Sequence, residues 1–86
     1  MQDSLENQIV EIFQQVFKEQ CEGKNIPDLK TDSVLLETGL DSLGFAILVV
    51  RLEEALGFDP FVLSSKAYYP RTFGDLVEFY RANQPR

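Results

Sequence analysis

The sequence contains no histidine, a single cysteine and no long apolar run. Without histidine, the common serine–histidine catalytic pair cannot be built from this chain. With Cys21 alone no internal disulfide can form, and we expect a reducing, cytoplasmic location. The longest apolar run, residues 45–50, is far too short to cross a bilayer. The sequence therefore predicts neither a triad-type hydrolase nor a membrane protein.

Basic side chains are also scarce, with eight Lys and Arg against fourteen Asp and Glu, a net charge of −6. Nucleic-acid binding depends on Lys and Arg that neutralise phosphates, so we expect no nucleic-acid partner. An acidic surface instead favours proteins with basic patches. A chain of 86 residues predicts one domain, residues 1–86, with one thin core. We expect a monomer, because that core needs most of the apolar area.

Apolar side chains at helical spacing predict three main helices. The first covers residues 3–20, and the second covers residues 42–56 and is ended by Gly57. Thr72 is predicted to cap the last helix, with Asp75 in its first turn. No segment shows a convincing strand pattern.

The connecting segments complete the predicted fold. Residues 21–40 are rich in turn-forming residues and form a long loop, which residues 34–36 are expected to pin to the core. Residues 58–64 are predicted to be irregular, because an Asp-Pro pair breaks them, and residues 65–69 to form one short helical turn. The sequence thus predicts an all-α fold: a small four-helix bundle of three main helices and one short helix, with a long loop between helices one and two.

The second helix carries two apolar stripes where a small bundle needs one. The first stripe consists of Phe45, Leu48, Val49, Leu52 and Leu56. The opposite stripe consists of Leu43, Ile47, Val50 and Glu54. The second stripe either contacts a partner or packs beneath the long loop, and contact with a partner is the favoured interpretation. Glu53 and Glu54 border it and would suit a basic partner.

Ser42, within ETGLDSLGF at residues 37–45, has three interpretations. Ser and Asp are favoured N-caps, and most Asp-Ser pairs at a helix start serve only to cap the helix. A catalytic serine needs a base, and a small core offers little means of desolvating a lysine for that role. If Asp41 takes the cap, however, the Ser42 hydroxyl faces water. A phosphodiester added there would lie at the positive end of the helix, and small Gly44 would leave room for it.

The segment LLETGLDSLGFAILVVRLEEALG, residues 35–57, resembles the signature of acyl carrier proteins. In that family the serine of a G-x-D-S-L core carries a 4′-phosphopantetheine arm, and residues 39–43 match that core. The segment YPRTFGDLVEFY, residues 69–80, is similar to the last helix of the family. The resemblance therefore spans nearly the whole chain.

The resemblance implies that a phosphopantetheinyl transferase moves the arm from coenzyme A to Ser42, using magnesium. The thiol of the arm would hold an acyl group as a thioester, and the chain itself would catalyse nothing. A ligase or acyltransferase would load the cargo, and ketosynthases or other acyl-processing enzymes would receive it. The residues implied to dock these partners are Asp41, Leu43, Ile47, Val50, Glu53 and Glu54.

Some residues depart from the pattern of carriers in primary fatty-acid synthesis. Those carriers usually have acidic side chains where this chain has Gly44 and Ile47, and Arg51 adds a positive charge. The aromatic stretch KAYYPRTF, residues 66–73, is more similar to carriers of polyketide or nonribosomal-peptide type. The resemblance therefore implies a specialised polyketide, lipid or related pathway. A peptidyl or aminoacyl carrier and a non-carrier helical interaction module are the alternatives, and Leu40 before the Asp-Ser pair favours the acyl carrier.

Overall fold

The computed structural model describes residues 4–63 and 69–84. Its helices are α1 (Ser4–Gln20), α2 (Ser42–Leu56), α3 (Pro60–Leu63) and α4 (Phe73–Ala82), with a 3-10 turn at Leu35–Glu37. In these two ranges there is no strand, and one isolated antiparallel bridge joins Val34 to Thr72. None of the helices described is long and apolar enough to cross a membrane. The all-α fold with three long helices and one short one is confirmed.

The core lies where α1 packs against α2 and α4. Its central side chains are Ile9, Phe13, Val16 and Phe17 of α1, Leu48 and Leu52 of α2, and Leu76, Val77 and Tyr80 of α4. Each of them is 3% exposed or less, so the stripes predicted from helical spacing face inward. Burial of these stripes supplies the main driving force for folding.

Local signals set the helix ends as predicted. The helix α2 has the predicted bounds, and Gly57 ends it in the left-handed conformation at φ +83°. The Thr72 side chain accepts a hydrogen bond from the Asp75 N–H, and the Asp75 side chain accepts one from the Thr72 N–H. This reciprocal pair is a capping box, which satisfies two N–H groups at the start of α4.

The connection after α2 differs from the prediction. Residues 58–64 were expected to be irregular, but Pro60–Leu63 form α3. The Asp59 side chain accepts a hydrogen bond from the Phe61 N–H at 2.9 Å. Proline in the first helical position lacks only an N–H that would have no intrahelical partner there. The Asp-Pro pair therefore begins a helix, and the helical turn predicted at residues 65–69 falls outside the described residues apart from Tyr69, which is not helical.

The long loop is fastened to the start of α4 by three backbone hydrogen bonds. These join the Leu35 N–H to the Arg71 carbonyl, the Phe73 N–H to the Ser33 carbonyl, and the Gly74 N–H to the Thr31 carbonyl. Leu35 is buried at 2% exposure, as expected of a side chain that pins the loop. The same prediction is wrong for Leu36, which lies in the 3-10 turn and is 62% exposed. The loop is thus fixed before α2 begins, both by backbone hydrogen bonds to residues 71–74 and by the buried Leu35 side chain.

Candidate functional site

The amino-terminal end of α2 presents Ser42 to solvent. Ser42 is the first residue of the helix and is exposed. Asp41 is the N-cap, and its Oδ1 accepts a hydrogen bond from the Gly44 N–H at 2.8 Å. Because Asp41 serves as the cap, the Ser42 hydroxyl is not needed for it. The first-turn N–H groups lack intrahelical partners and form the positive end of the helix dipole, so the position favours a negatively charged substituent.

The turn that precedes Asp41 is held by Cys21, the residue after α1, and by the loop. Gly39 has φ +111°, and its carbonyl accepts a hydrogen bond from the Cys21 thiol, with Sγ at 3.2 Å. The Thr38 hydroxyl donates to the Leu35 carbonyl at 2.6 Å. Leu40 follows and is buried at 1% exposure. These contacts fix the backbone immediately before the serine, so the hydroxyl is presented from a defined turn.

Replacing Gly39 with alanine should strain this turn. An L residue rarely adopts φ +111°, and the new Cβ would lie 3.3 Å from Cε2 of Phe17. We expect the free energy of unfolding to fall by about 1–3 kcal/mol, measured by urea denaturation. Gly23→Ala is the matched control, since Gly23 has φ +85° and no atom within 4 Å of the added Cβ. Equal losses in the two variants would show that Phe17 does not restrain the turn.

Gly44 has a structural role in packing rather than the expected role of leaving room for an arm. The sequence suggested that its small size leaves room for an attached arm, but Gly44 is buried. A Cβ at this position would lie 2.6 Å from Cδ1 of Leu40 and 3.3 Å from Oδ1 of Asp41. The missing side chain therefore makes room on the core side of the helix. It allows Leu40 to pack directly behind the cap.

A groove of about 500 Å³ opens beside Ser42 and was not foreseen from the sequence. Its other lining residues are Leu35, Leu36, Phe45, Ala46, Val49, Phe61, Tyr69 and Pro70. The rings of Phe45 and Phe61 meet edge to face in its wall, with centroids 6.4 Å apart. The 3-10 turn, α2, α3 and the segment before α4 each contribute to the lining. An apolar surface of this shape next to an exposed hydroxyl can shelter an apolar group joined to that hydroxyl.

The second apolar stripe lies on the outer face of α2 and is largely exposed to solvent. Leu43 is 64% exposed and Val50 is 54% exposed, so these side chains do not pack beneath the loop. Ile47, between them, is half-buried against the core. Glu53 and Glu54 are exposed, and Glu53 lies about 16 Å along the helix axis from Ser42. The exposed face therefore begins apolar at the serine and becomes acidic at its far end.

Arg51 is paired across the helix interface with Glu19 of α1. Its two terminal nitrogens donate to the two carboxylate oxygens at 3.1 and 2.6 Å. This hydrogen-bonded pairing with Glu19 raises the pKa of Arg51, and nearby Glu54 adds to the effect. The sequence showed only a positive charge on this helix. The structure shows that Glu19 offsets this charge and that the ion pair joins α2 to α1.

A family model described as the phosphopantetheine attachment site matches residues 7–62. The chain belongs to the phosphopantetheine-binding family. The resemblance stated from the sequence is therefore confirmed, and the protein is a carrier that bears covalently attached 4′-phosphopantetheine. No curated protein and no solved structure matches the chain. The match includes the long loop, all of α2 and most of α3, while α4 follows it.

The geometry around the start of α2 suits such an arm. The phosphodiester of phosphopantetheine carries negative charge, which the free N–H groups at the helix terminus favour. The groove offers an apolar surface next to it. When bound, the arm supplies a terminal thiol that holds acyl groups as thioesters. Phosphopantetheine carriers work with phosphopantetheinyl transferases and acyl-processing enzymes.

Proposed function

We propose that this carrier holds acyl intermediates as thioesters on a 4′-phosphopantetheine arm attached to Ser42 and delivers them to partner enzymes. The observation that supports this proposal most directly is the exposed hydroxyl at the first position of α2, beside an apolar groove. A transferase would have to bring only its own base and magnesium. Tethering then raises the effective concentration of the cargo at each enzyme the carrier visits.

Ser42 is the better of two candidates within the family match. Residues 7–62 contain two serines, Ser33 and Ser42. Ser33 is half-buried in the long loop, and its hydroxyl oxygen accepts a hydrogen bond from the Lys30 N–H at 2.9 Å. Ser42 is exposed and lies at the positive end of a fifteen-residue helix. These differences support attachment at Ser42.

The exposed face of α2 is the proposed docking surface. It consists of Asp41, Leu43, Ile47, Val50, Glu53 and Glu54. The proposed partners are a phosphopantetheinyl transferase, a loading ligase or acyltransferase, and a ketosynthase or other acyl-processing enzyme. Leu43 and Val50 would enter shallow apolar pockets, because both are more than half exposed. Glu53 and Glu54 would meet basic side chains, which steer association.

A specialised polyketide, lipid or related pathway is proposed because the first part of α2 lacks acidic residues. No charged residue lies between Ser42 and Arg51, and Arg51 is itself paired with Glu19. Enzymes that recognise a carrier through acids along this stretch would find few contacts here. We further propose that residues 1–86 form one cytoplasmic, monomeric carrier domain that catalyses no reaction itself.

The decisive experiment is loading of the wild-type chain. Incubation with coenzyme A, magnesium and a broad-specificity phosphopantetheinyl transferase should add one arm, detected by intact-mass spectrometry. The added thiol should then accept an acyl group from a cognate ligase or acyltransferase. An unchanged mass, while the same transferase modifies a control carrier, would contradict attachment and favour the helical interaction module. Acceptance of aminoacyl groups alone would favour the aminoacyl carrier.

A further inference from the structure

Two exposed apolar side chains line the groove beside Ser42 without belonging to α2. Leu36 of the 3-10 turn is 62% exposed, and Tyr69, which precedes α4, is 86% exposed. We call this pair the rim patch. Neither residue belongs to the docking surface proposed on α2. Exposed apolar side chains that are grouped at a pocket are typical of a surface that contacts another protein.

Backbone pairing fixes the two segments that carry the rim patch. The Leu35 N–H donates a hydrogen bond to the Arg71 carbonyl at 2.9 Å, and an isolated antiparallel bridge joins the adjacent residues. Leu36 comes one residue after this bond and Tyr69 two residues before it. Because the two segments run antiparallel, both side chains lie beyond the same end of the pairing. The rim patch is therefore presented by one joined piece of backbone and not by two independent loops.

The charges that neighbour the rim patch along the chain have opposite signs. Glu37 follows Leu36, Arg71 lies two residues after Tyr69, and both charged side chains are exposed. The far end of α2, by contrast, is acidic. A partner would thus meet the far end of α2 through basic side chains and the rim patch through apolar contacts.

Ser42 lies between the rim patch and the exposed apolar side chains of α2. The α2 residues that line the groove, numbers 42, 45, 46 and 49, share one face of the helix. Leu43 and Val50 do not line the groove and lie about 80–100° around the helix axis from Ser42. A protein whose active site reaches the Ser42 hydroxyl therefore meets apolar side chains on both sides of it.

We propose that the rim patch is a second docking surface and that its partner is the phosphopantetheinyl transferase. This inference rests on the proposed attachment at Ser42. Among the proposed partners, the transferase acts on the serine oxygen itself, whereas the enzymes that load or process the cargo act at the thiol end of the arm. Leu36 and Tyr69 would contact apolar side chains of the transferase, across the groove from α2. The rim patch would thus govern attachment of the arm and not the later transfer of cargo.

The test compares transferase kinetics on the wild type, Leu36→Ala and Tyr69→Ala. Each unmodified chain is incubated with coenzyme A, magnesium and a broad-specificity phosphopantetheinyl transferase, and addition of the arm is followed by intact-mass spectrometry. We expect KM for the carrier to rise about tenfold in Tyr69→Ala and about threefold in Leu36→Ala, with kcat unchanged, because an interface contact is lost. Since the contact is apolar, these ratios should be the same at low and high salt.

Val62→Ala is the matched control. Val62 is 77% exposed, but it lies on α3 and does not line the groove, so KM should stay at the wild-type value. A wild-type KM in both rim-patch variants would overturn the proposal. A fall in kcat at unchanged KM would also overturn it, because the side chains would then position the serine instead of contacting the transferase. Failure of the wild type to load at all would instead contradict the attachment at Ser42.

Discussion

Replacing Ser42 with alanine should abolish addition of the arm completely. The proposed attachment at Ser42 requires an oxygen nucleophile at this position, and alanine supplies none. Intact-mass spectrometry after incubation with coenzyme A and an active transferase should show the unmodified mass for Ser42→Ala and one added arm for the wild type. Stability should change by less than about 0.5 kcal/mol, because Asp41 and not Ser42 caps the helix.

Ser33→Ala is the matched control for this experiment. It removes the other serine within the family match, whose oxygen accepts the Lys30 N–H in the loop. We expect Ser33→Ala to be loaded fully, with at most a small loss of stability from the missing hydrogen bond. An arm that is found on Ser42→Ala but lost from Ser33→Ala would contradict the proposal and place the attachment at Ser33. Peptide mapping of the modified wild type gives an independent answer.

The two leucines that flank the Asp-Ser pair should have opposite phenotypes. Leu40 is 1% exposed and packs against Gly44 behind the cap, whereas Leu43 is 64% exposed on the outer face. Leu40→Ala should lower the free energy of unfolding by about 2–4 kcal/mol, since it leaves a cavity in the core. That is a large part of the roughly 4–13 kcal/mol expected for a chain of this length. Urea denaturation measures it directly.

Leu43→Ala should spare stability and weaken partner docking. The unfolding free energy should stay within about 0.5 kcal/mol of wild type, because the side chain is already solvated. The transferase kcat/KM should fall about five- to thirtyfold, which corresponds to an interface contact worth roughly 1–2 kcal/mol. A transferase that loads Leu43→Ala at the wild-type rate would show that it docks elsewhere. A loss of stability in this variant would instead mean that the side chain packs against the domain.

Features set by neighbouring residues could be predicted from the sequence. The bounds of α2, its Gly57 terminus and the capping box at Thr72 depend on signals within a few residues. The Asp-Pro pair at the start of α3 shows the limit of such signals. The same two residues can break a helix or begin one, and which occurs depends on whether the following apolar residues can pack, as Phe61 does here.

Features that depend on distant contacts could not be predicted. Arg51 meets Glu19 across 32 residues, and sequence spacing gives no sign of that pair. The purpose of Gly44 was misjudged because it depends on how Leu40 packs. The groove beside Ser42 was missed because four separate segments build it. The serine and its cap were apparent from the motif, while the surface around them required the fold.

The hydrogen bonds between the long loop and residues 71–74 determine the shortest segment of this chain that could be moved into another protein with its structure intact. The recognisable motif ends at Val62, but a fragment cut there would leave the loop unanchored and remove Leu76 and Tyr80 from the interior. Such a fragment would keep the serine and lose the backbone hydrogen bonds that anchor the loop leading to it. A hybrid protein built with this carrier should therefore include the segment through Ala82 as one unit.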